Sequence, residues 1–85
     1  MKQIVNAPDV KVNVSVVAPN SKVPDEPHVH ERYELLYVKE GRVEVHVGQE
    51  TKAVTRGSFI IFEPYEGHTL TTGEEEVVFF EVFWK

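Results

Sequence analysis

Valine alternates with polar residues along two stretches of the chain. Between residues 10 and 16, every even position is valine and the positions between them are Lys, Asn and Ser. Between residues 43 and 47, valine takes every odd position and alternates with Glu44 and His46. A period of two predicts a β-strand with one buried face. We therefore expect both valine faces to lie in the core, and His46 to face solvent.

Two further stretches are more apolar. Between residues 33 and 39, the even positions Glu34, Leu36 and Val38 share one face, and the odd positions from 33 to 37 are also apolar. Residues 77–84 are apolar on both faces except for Glu81. A strand of this kind is typical of a position covered on both sides.

Shorter strand patterns and turn residues fill the rest of the chain. Strands are predicted over residues 1–9 at a sheet edge, 52–55, 59–63 and 67–72, and a loop over residues 19–27. About eight short strands with turns roughly every 8–12 residues, and no convincing helix, predict an all-β barrel or sandwich. We treat residues 1–85 as a single domain.

Composition narrows the possible functions. The chain has 85 residues, 41% of them hydrophobic and 11% aromatic, which is typical of a small globular domain. A net charge of -5 argues against nucleic acid as a partner.

No apolar run reaches membrane-spanning length, and the start lacks a basic segment followed by an apolar one, so we expect a cytoplasmic protein without a membrane partner. Many Glu, Lys and Val with few Gln and Met hint at a thermophilic source.

Candidate chemistry is concentrated between residues 28 and 34. His28 and His30, followed by Glu34, offer imidazole and carboxylate donors to a divalent metal. Because the chain has no cysteine, any metal would be held by nitrogen and oxygen. Residues two apart share a face only on a strand, where their Cα atoms lie roughly 6.6 Å apart. Pro24 and Pro27 also argue against a helix here.

The position of Glu34 requires the chain to change direction. A straight strand would put Glu34 roughly 13 Å from His30, which is too far for one metal to bridge. We therefore predict a bend or a β-bulge around residues 31–33. Glu31 is the alternative carboxylate, because a bend makes the facing of these residues less certain.

The same stretch resembles the first sequence motif of the cupin superfamily. That motif is Gly-x5-His-x-His, three or four residues, Glu, six residues and Gly. His28, His30, Glu34 and Gly41 match it, with three residues before the Glu and six after it.

A second cupin motif, Gly-x5-Pro-x-Gly-x2-His-x3-Asn, resembles the segment from Gly57 to Thr72. Gly57 and His68 are eleven positions apart, as in the family, and fifteen residues separate Gly41 from Gly57, as in the shortest cupins. The departures are Lys22 for the first glycine of the first motif, Pro64 and Gly67 one and two positions late, and Thr72 for Asn. They affect turns and a peripheral position rather than the ligands.

The resemblance implies a fold and a metal site. It implies a cupin-type double-stranded β-helix, a jelly-roll barrel of short antiparallel strands. Inside it, His28, His30, Glu34 and His68 would point at one divalent transition metal: Fe, Mn, Ni, Co, Zn or Cu. Four protein ligands leave two positions open on a six-coordinate ion.

The resemblance also implies a range of functions. Related cupins carry out dioxygenase, decarboxylase or isomerase chemistry on small oxygen-rich molecules, so a small-molecule substrate is expected. The alternative is a non-catalytic ligand-binding or sensor cupin with a structural metal.

Two other residues could assist at such a site. Glu81 is either an inward polar group in the pocket or an outward charge that limits aggregation. Tyr37 is most simply a core or interface residue, but it could line a pocket. Glu81 and Tyr37 are therefore the candidates for handling protons.

The last strand pattern also predicts assembly. A chain this small cannot bury both faces of residues 77–84 by itself. We therefore expect a homodimer, with residues 77–84 or the first strand at the contact.

Overall fold

The chain folds into β-strands throughout the part that the structure describes. A computed structural model describes the backbone of residues 2–7, 10–28 and 31–85, and the side chains of residues 10–23 and 31–85. Within these ranges there are nine strands and no helix. The strands are β1 (Lys2–Ala7), β2 (Val10–Val17), β3 (Lys22–His28), β4 (Tyr33–Glu40), β5 (Arg42–Val47), β6 (Glu50–Thr55), β7 (Phe59–Phe62), β8 (His68–Thr72) and β9 (Val77–Trp84).

The strands form two antiparallel sheets. The five-stranded sheet has the order β1-β2-β9-β4-β7, and the four-stranded sheet has the order β3-β8-β5-β6. Every pairing is antiparallel. The prediction of an all-β, antiparallel jelly-roll architecture is confirmed.

The hydrophobic core lies between the two sheets. Leu36, Phe62 and Phe79 contribute from the five-stranded sheet, and Val43 and Val45 from the four-stranded sheet. In β4, Glu34, Leu36 and Val38 are buried as predicted. In β5, Val43 and Val45 are buried as predicted, and Val47 is half-buried. His46 points outward from β5, where its ring nitrogens contact hydroxyls of neighbouring strands.

The valine face of β2 was predicted to be buried, and that prediction is wrong. Val10 and Val16 are 36% and 60% exposed, whereas Asn13 is only 3% exposed. The cause is the partner strand, since β2 pairs with β9 so that Asn13 lies opposite Glu81. The interior beside the middle of β2 therefore contains polar groups, and the valines at even positions face outward, whereas Val17 at the end of the strand is in the core.

The predicted loop over residues 19–27 is also wrong in its second half, where β3 begins at Lys22. Proline is tolerated there because β3 is an edge strand, where not every backbone N–H has to donate to a neighbour. The pairing is irregular, because β3 advances by five residues from Val23 to His28 while β8 advances by only two, between Leu70 and His68. Strand β3 is thus distorted immediately before the histidine pair.

The change of direction predicted for residues 31–33 is a bend and not a bulge. Glu31 and Arg32 form the bend, and β4 pairs regularly with β9 from Tyr33 to Val38. The register irregularity lies earlier, within β3. The bend re-aims the chain so that Glu34 enters the interior.

Gly41 makes the tight connection from β4 to β5. Its φ of 84° is in the left-handed region, and a Cβ there would lie 2.6 Å from the carbonyl oxygen of Glu76. Both constraints favour glycine.

Among the residues described, no helix is long and apolar enough to cross a membrane.

Candidate functional site

Glu34 and His68 meet inside the barrel, although they come from different sheets. Glu34 is the second residue of β4, and His68 is the first residue of β8. They are 1% and 5% exposed, and 3.3 Å separates Glu34 Oε1 from His68 Nε2. A carboxylate oxygen and an imidazole nitrogen therefore share one enclosed position.

The ring of His68 is fixed from two sides. Its Nδ1 donates a hydrogen bond to the carbonyl oxygen of Glu66 over 3.2 Å. The Phe62 ring stacks on it, with centroids 3.8 Å apart and planes 5° from parallel. Because Nδ1 carries the proton that is donated to Glu66, Nε2 is the ring nitrogen that faces Glu34. A metal ion could bind at Nε2 when that nitrogen carries no proton.

A tight turn before β8 places the carbonyl of Glu66. The Glu66 N–H donates to the carbonyl oxygen of Glu63, and the Glu63 N–H donates to Glu66 Oε1, each over 3.2 Å. Tyr65 lies in this turn with a φ of 63°. In the second cupin motif this position is glycine, so tyrosine here adopts a conformation that glycine adopts more easily. The altered motif still produces a turn that supports His68.

Glu81 lies beside Glu34 on the neighbouring strand. Burial, followed by the hydrogen bond and negative charge of Glu34, raises the pKa of Glu81 from 4.5 to about 8. Ser15 donates a hydrogen bond to Glu81 Oε1 over 3.3 Å, which acts in the opposite direction. Glu81 is therefore largely protonated at neutral pH, and its carboxyl group donates to the Glu34 carboxylate.

The same carboxylate affects His68. Burial acts to lower the pKa of His68, but the hydrogen bond and charge of Glu34 outweigh it, so this pKa is raised. Glu34 is thus in contact with a protonated carboxyl on one side and an imidazole on the other.

The two motif histidines are located only in part. His28 is the last residue of β3, and its Cα pairs directly with that of His68. Its side chain and the whole of His30 lie outside the described residues. Among the side chains that are described, no group of three or more His, Asp or Glu residues is arranged to hold a metal. The four-ligand set remains a prediction, for which the structure supplies the Glu34–His68 pair.

The other candidates lie elsewhere. Glu31 is exposed in the bend, so Glu34 is the carboxylate that contacts His68. Tyr37 is on the outer face of β4, where its ring stacks on Phe80 with centroids 6.1 Å apart. The structure therefore brings Glu81 to the pair but leaves Tyr37 on the other side of the sheet.

Three residues that hold the site were missed in the sequence. Phe62 and Glu66 fix the ring of His68, and Ser15 holds Glu81. Ser15 acts through the pairing of β2 with β9, and Phe62 acts across the two sheets, neither of which the alternation of a single strand reveals. Glu66 acts through its backbone carbonyl, which leaves no trace in residue type.

Thr72, which replaces the motif asparagine, has a structural role. Its hydroxyl donates to the carbonyl of Ala18 over 2.7 Å and accepts from the Ser21 N–H over 2.9 Å. These bonds join the loop between β2 and β3 to the end of β8.

Two surface concavities differ in whether residues that contact His68 line them. A recess of about 130 Å³ between β5, β6 and β7 is lined by Phe62 and Glu66, among other residues. A larger groove of about 480 Å³ is lined by Arg42, Glu44 and the Thr71–Glu75 segment, and by none of the predicted site residues. The smaller recess thus ends on the two residues that hold His68.

Comparisons with known proteins agree with this architecture. The family model described as a cupin domain matches residues 13–83. The chain is similar to a Cupin 2 conserved barrel domain protein from Salinispora arenicola, with a TM-score of 0.86, 20% identity, and coverage of 99% of this chain and 73% of that one. It is also similar to KdgF from Halomonas sp., with a TM-score of 0.88, 20% identity, and coverage of 98% of this chain and 74% of that one. For the plu4264 protein from Photorhabdus luminescens, the TM-score is 0.82 and the identity 27%, with coverage of 95% of this chain and 66% of that one. No curated protein matches the chain.

Proposed function

This chain belongs to the cupin domain family, and we propose that it binds one divalent transition metal and uses it on a small oxygen-rich organic molecule. His28, His30, Glu34 and His68 would be the ligands. The observation that carries this proposal is the buried Glu34–His68 contact of 3.3 Å, made across the two sheets. The Cα pairing of His28 with His68 supports a third donor close by.

The residues at this position fit a metal ion by their chemistry. Imidazole nitrogen and carboxylate oxygen suit Fe, Mn, Ni, Co, Zn and Cu alike, so the donor set does not choose among these ions. The hydrogen bond from Nδ1 of His68 leaves Nε2 as the ring nitrogen that an ion could bind. A bound ion would supply Lewis-acid chemistry, or redox chemistry for a redox-active metal, of the dioxygenase, decarboxylase or isomerase type.

The contribution of Glu81 would be to hold a proton next to the metal ligand. Its carboxyl group is protonated at neutral pH because burial and Glu34 raise its pKa to about 8. A group with a pKa near the working pH can both give and take a proton. The Ser15 hydroxyl donates to Oε1 of this carboxyl and so helps to fix its orientation.

The recess beside the residues that hold His68 is small. Its volume is about 130 Å³, and its lining includes Phe62 and Glu66 but not Glu34, His68 or Glu81. Since pockets for drug-sized molecules have roughly 300–1,000 Å³, a ligand that approached the pair from this side would have to be small.

Metal content tests the proposal. We expect untagged wild-type protein to bind close to one equivalent of transition metal, and His68→Ala to lose it. His46→Ala is the matched control, because the ring nitrogens of His46 contact threonine hydroxyls on the outer face of the sheet, and this variant should keep the metal. Full metal retention in His68→Ala would refute the assignment.

A non-catalytic role is the second candidate, and the burial of the pair favours it. Glu34 and His68 are at most 5% exposed and belong to different sheets, so an ion between them would stabilise the packing of the two sheets. In that case metal removal would lower the melting temperature strongly, and no small acid, diketone or sugar would be consumed. Turnover of any such molecule by the metal-loaded protein, with or without O₂, would favour the enzyme.

A further inference from the structure

The inner face of β2 is polar where it faces the candidate site. Residues directly opposite each other on paired antiparallel strands share a face of the sheet. Lys11 lies opposite Phe83, which in turn lies opposite Glu34 on β4, and Asn13 lies opposite Glu81. Lys11 and Asn13 are therefore on the same inner face as Glu34 and Glu81.

The strand spacing brings both residues near a molecule bound at the Glu34–His68 pair. Adjacent strands are about 4.8 Å apart, so the Cα atoms of Lys11 and Glu34, on either side of β9, are roughly 9.6 Å apart. The Cα atoms of Lys11 and Asn13 are roughly 6.6 Å apart along β2. Because these side chains project into the interior, a molecule of a few heavy atoms would extend from Lys11 to Glu34.

Asn13 is a buried polar residue whose side chain has no partner in the protein. It is 3% exposed, and its amide forms no side-chain hydrogen bond within the part of the chain that the structure describes. A buried amide without a partner destabilises a fold. On the same strand, by contrast, Ser15 donates to Glu81. The amide of Asn13 is therefore available to a bound molecule, as both a donor and an acceptor.

Lys11 brings a positive charge to the same end of the barrel. It is the second residue of β2, in one row with Glu34, the second residue of β4. Lys11 is half-buried, and it forms no ion pair with any residue that the structure describes. Lysine is rarely withdrawn from water unless it is paired, and a hydrogen bond between an ammonium and a carboxylate is stronger than one between neutral groups. This ammonium is therefore suited to an anionic ligand.

We propose that Lys11 and Asn13 recognise the substrate, and that the substrate is a small organic acid with a second oxygen group. The ammonium of Lys11 would bind the carboxylate, and the amide of Asn13 would hold the second group, a hydroxyl or a carbonyl, beside Glu81. This inference rests on the proposed function, because the second oxygen is the one presented to the metal. It also gives a reason for an unpartnered amide in the interior, since binding groups are often kept at the expense of stability.

Binding of small acids tests this assignment. Lactate and glycolate are titrated into ¹⁵N-labelled, Zn(II)-loaded protein, with their neutral amides lactamide and glycolamide as controls for charge. The acids should shift the NMR signals of the Asn13 side-chain amide, and Lys11→Gln should weaken their affinity at least about tenfold, because a hydrogen bond between charged groups is lost. Lys39→Gln is the matched control, since Lys39 lies over the Phe80 ring on the outer face and this variant should bind the acids as wild type does.

A second variant, Asn13→Leu, separates recognition from folding. It replaces the amide with an apolar side chain of similar size, so affinity for the acids should fall several-fold. The melting temperature should stay equal or rise, because no hydrogen bond within the described part of the protein is lost. A fall in melting temperature that accompanied the loss of affinity would give Asn13 a structural role instead. Acids that bind no better than their amides, or wild-type affinity in either variant, would also overturn the proposal.

Metal content distinguishes this inference from the proposed function. Zinc is measured on the same samples, and Lys11→Gln and Asn13→Leu should both keep close to one equivalent. The titration is repeated without Zn(II), where the acids should still shift the Asn13 signals at higher concentration. A protein that takes up no metal but binds acids at Lys11 and Asn13 would refute the metal site alone. A protein that takes up metal and does not bind the acids would refute acid recognition alone.

Discussion

Strands β2 and β5 have the same valine alternation, but their valines point in opposite directions. The β5 residues Val43 and Val45 are each 1% exposed, between the sheets. The β2 residue Val16 is 60% exposed, and Asn13 takes the interior position. Both strands are amphipathic, and both have one apolar face.

The difference comes from what each strand faces. β5 faces the closely packed part of the barrel, where apolar side chains from both sheets meet. β2 is next to β9, whose inner side carries Glu81, so polar residues face inward there. Alternation therefore separates two faces, but the neighbouring strands decide which face is buried. An apolar face that turns outward then points to a partner.

Placing the same charge on both strands tests whether their valine faces differ in burial. Val45→Asp buries a carboxylate in the core and should destabilise the fold by at least about 4 kcal/mol, enough to unfold a small domain. Val16→Asp should keep the folded state because the side chain is exposed. Circular dichroism at 25 °C should show β-structure only for Val16→Asp. Equal loss in both variants would show that the two valine faces do not differ.

Strand β7 offers a second comparison within four residues. Phe62 is 1% exposed and stacks on His68, whereas Phe59 is 60% exposed. Phe62→Ala should lower the free energy of unfolding by about 3–5 kcal/mol. Phe59→Ala should change it by no more than about 0.5 kcal/mol, because the side chain of Phe59 is exposed. Urea denaturation measures both, and a large loss for Phe59→Ala alone would contradict this difference.

Glu81 tests the polar inner side of β9. Glu81→Leu removes the carboxyl that donates to Glu34 and should weaken metal binding about 10–100-fold, as loss of a group that orients a ligand does. Glu81→Gln keeps a donor and should stay within a few-fold of wild type. Calorimetric titration with Zn(II) gives both affinities. Unchanged affinity in Glu81→Leu would mean that Glu81 does not orient Glu34.

Much of the fold could be predicted because it depends on local pattern. The inward faces of β4 and β5 follow from a period of two, and the span of β9 follows from a continuous apolar run between turn residues. The orientation of β2 could not be predicted, because it depends on pairing with a strand more than sixty residues away. Strand β3 was missed because its two prolines suggest a loop, although a sheet edge tolerates them.

The candidate site divides in the same way. Motif spacing predicts Glu34 and His68, and the structure brings them within 3.3 Å. It does not predict the ring stack of Phe62, which depends on how the two sheets approach each other. Nor does it predict the carbonyl of Glu66, because a local turn places this backbone group whatever the residue type. Tyr65 shows a further gap, because residue type alone gives no reason for a tyrosine to adopt a φ of 63°.

We propose that Glu34, and not its exposed neighbour Glu31, completes the metal site inside the barrel. The most direct test is the metal-to-protein ratio of Glu34→Gln and Glu31→Gln, purified side by side with wild type and loaded with the same metal. We predict close to one equivalent for wild type and Glu31→Gln, and a clear loss for Glu34→Gln. Full occupancy in Glu34→Gln, or loss confined to Glu31→Gln, would contradict the account.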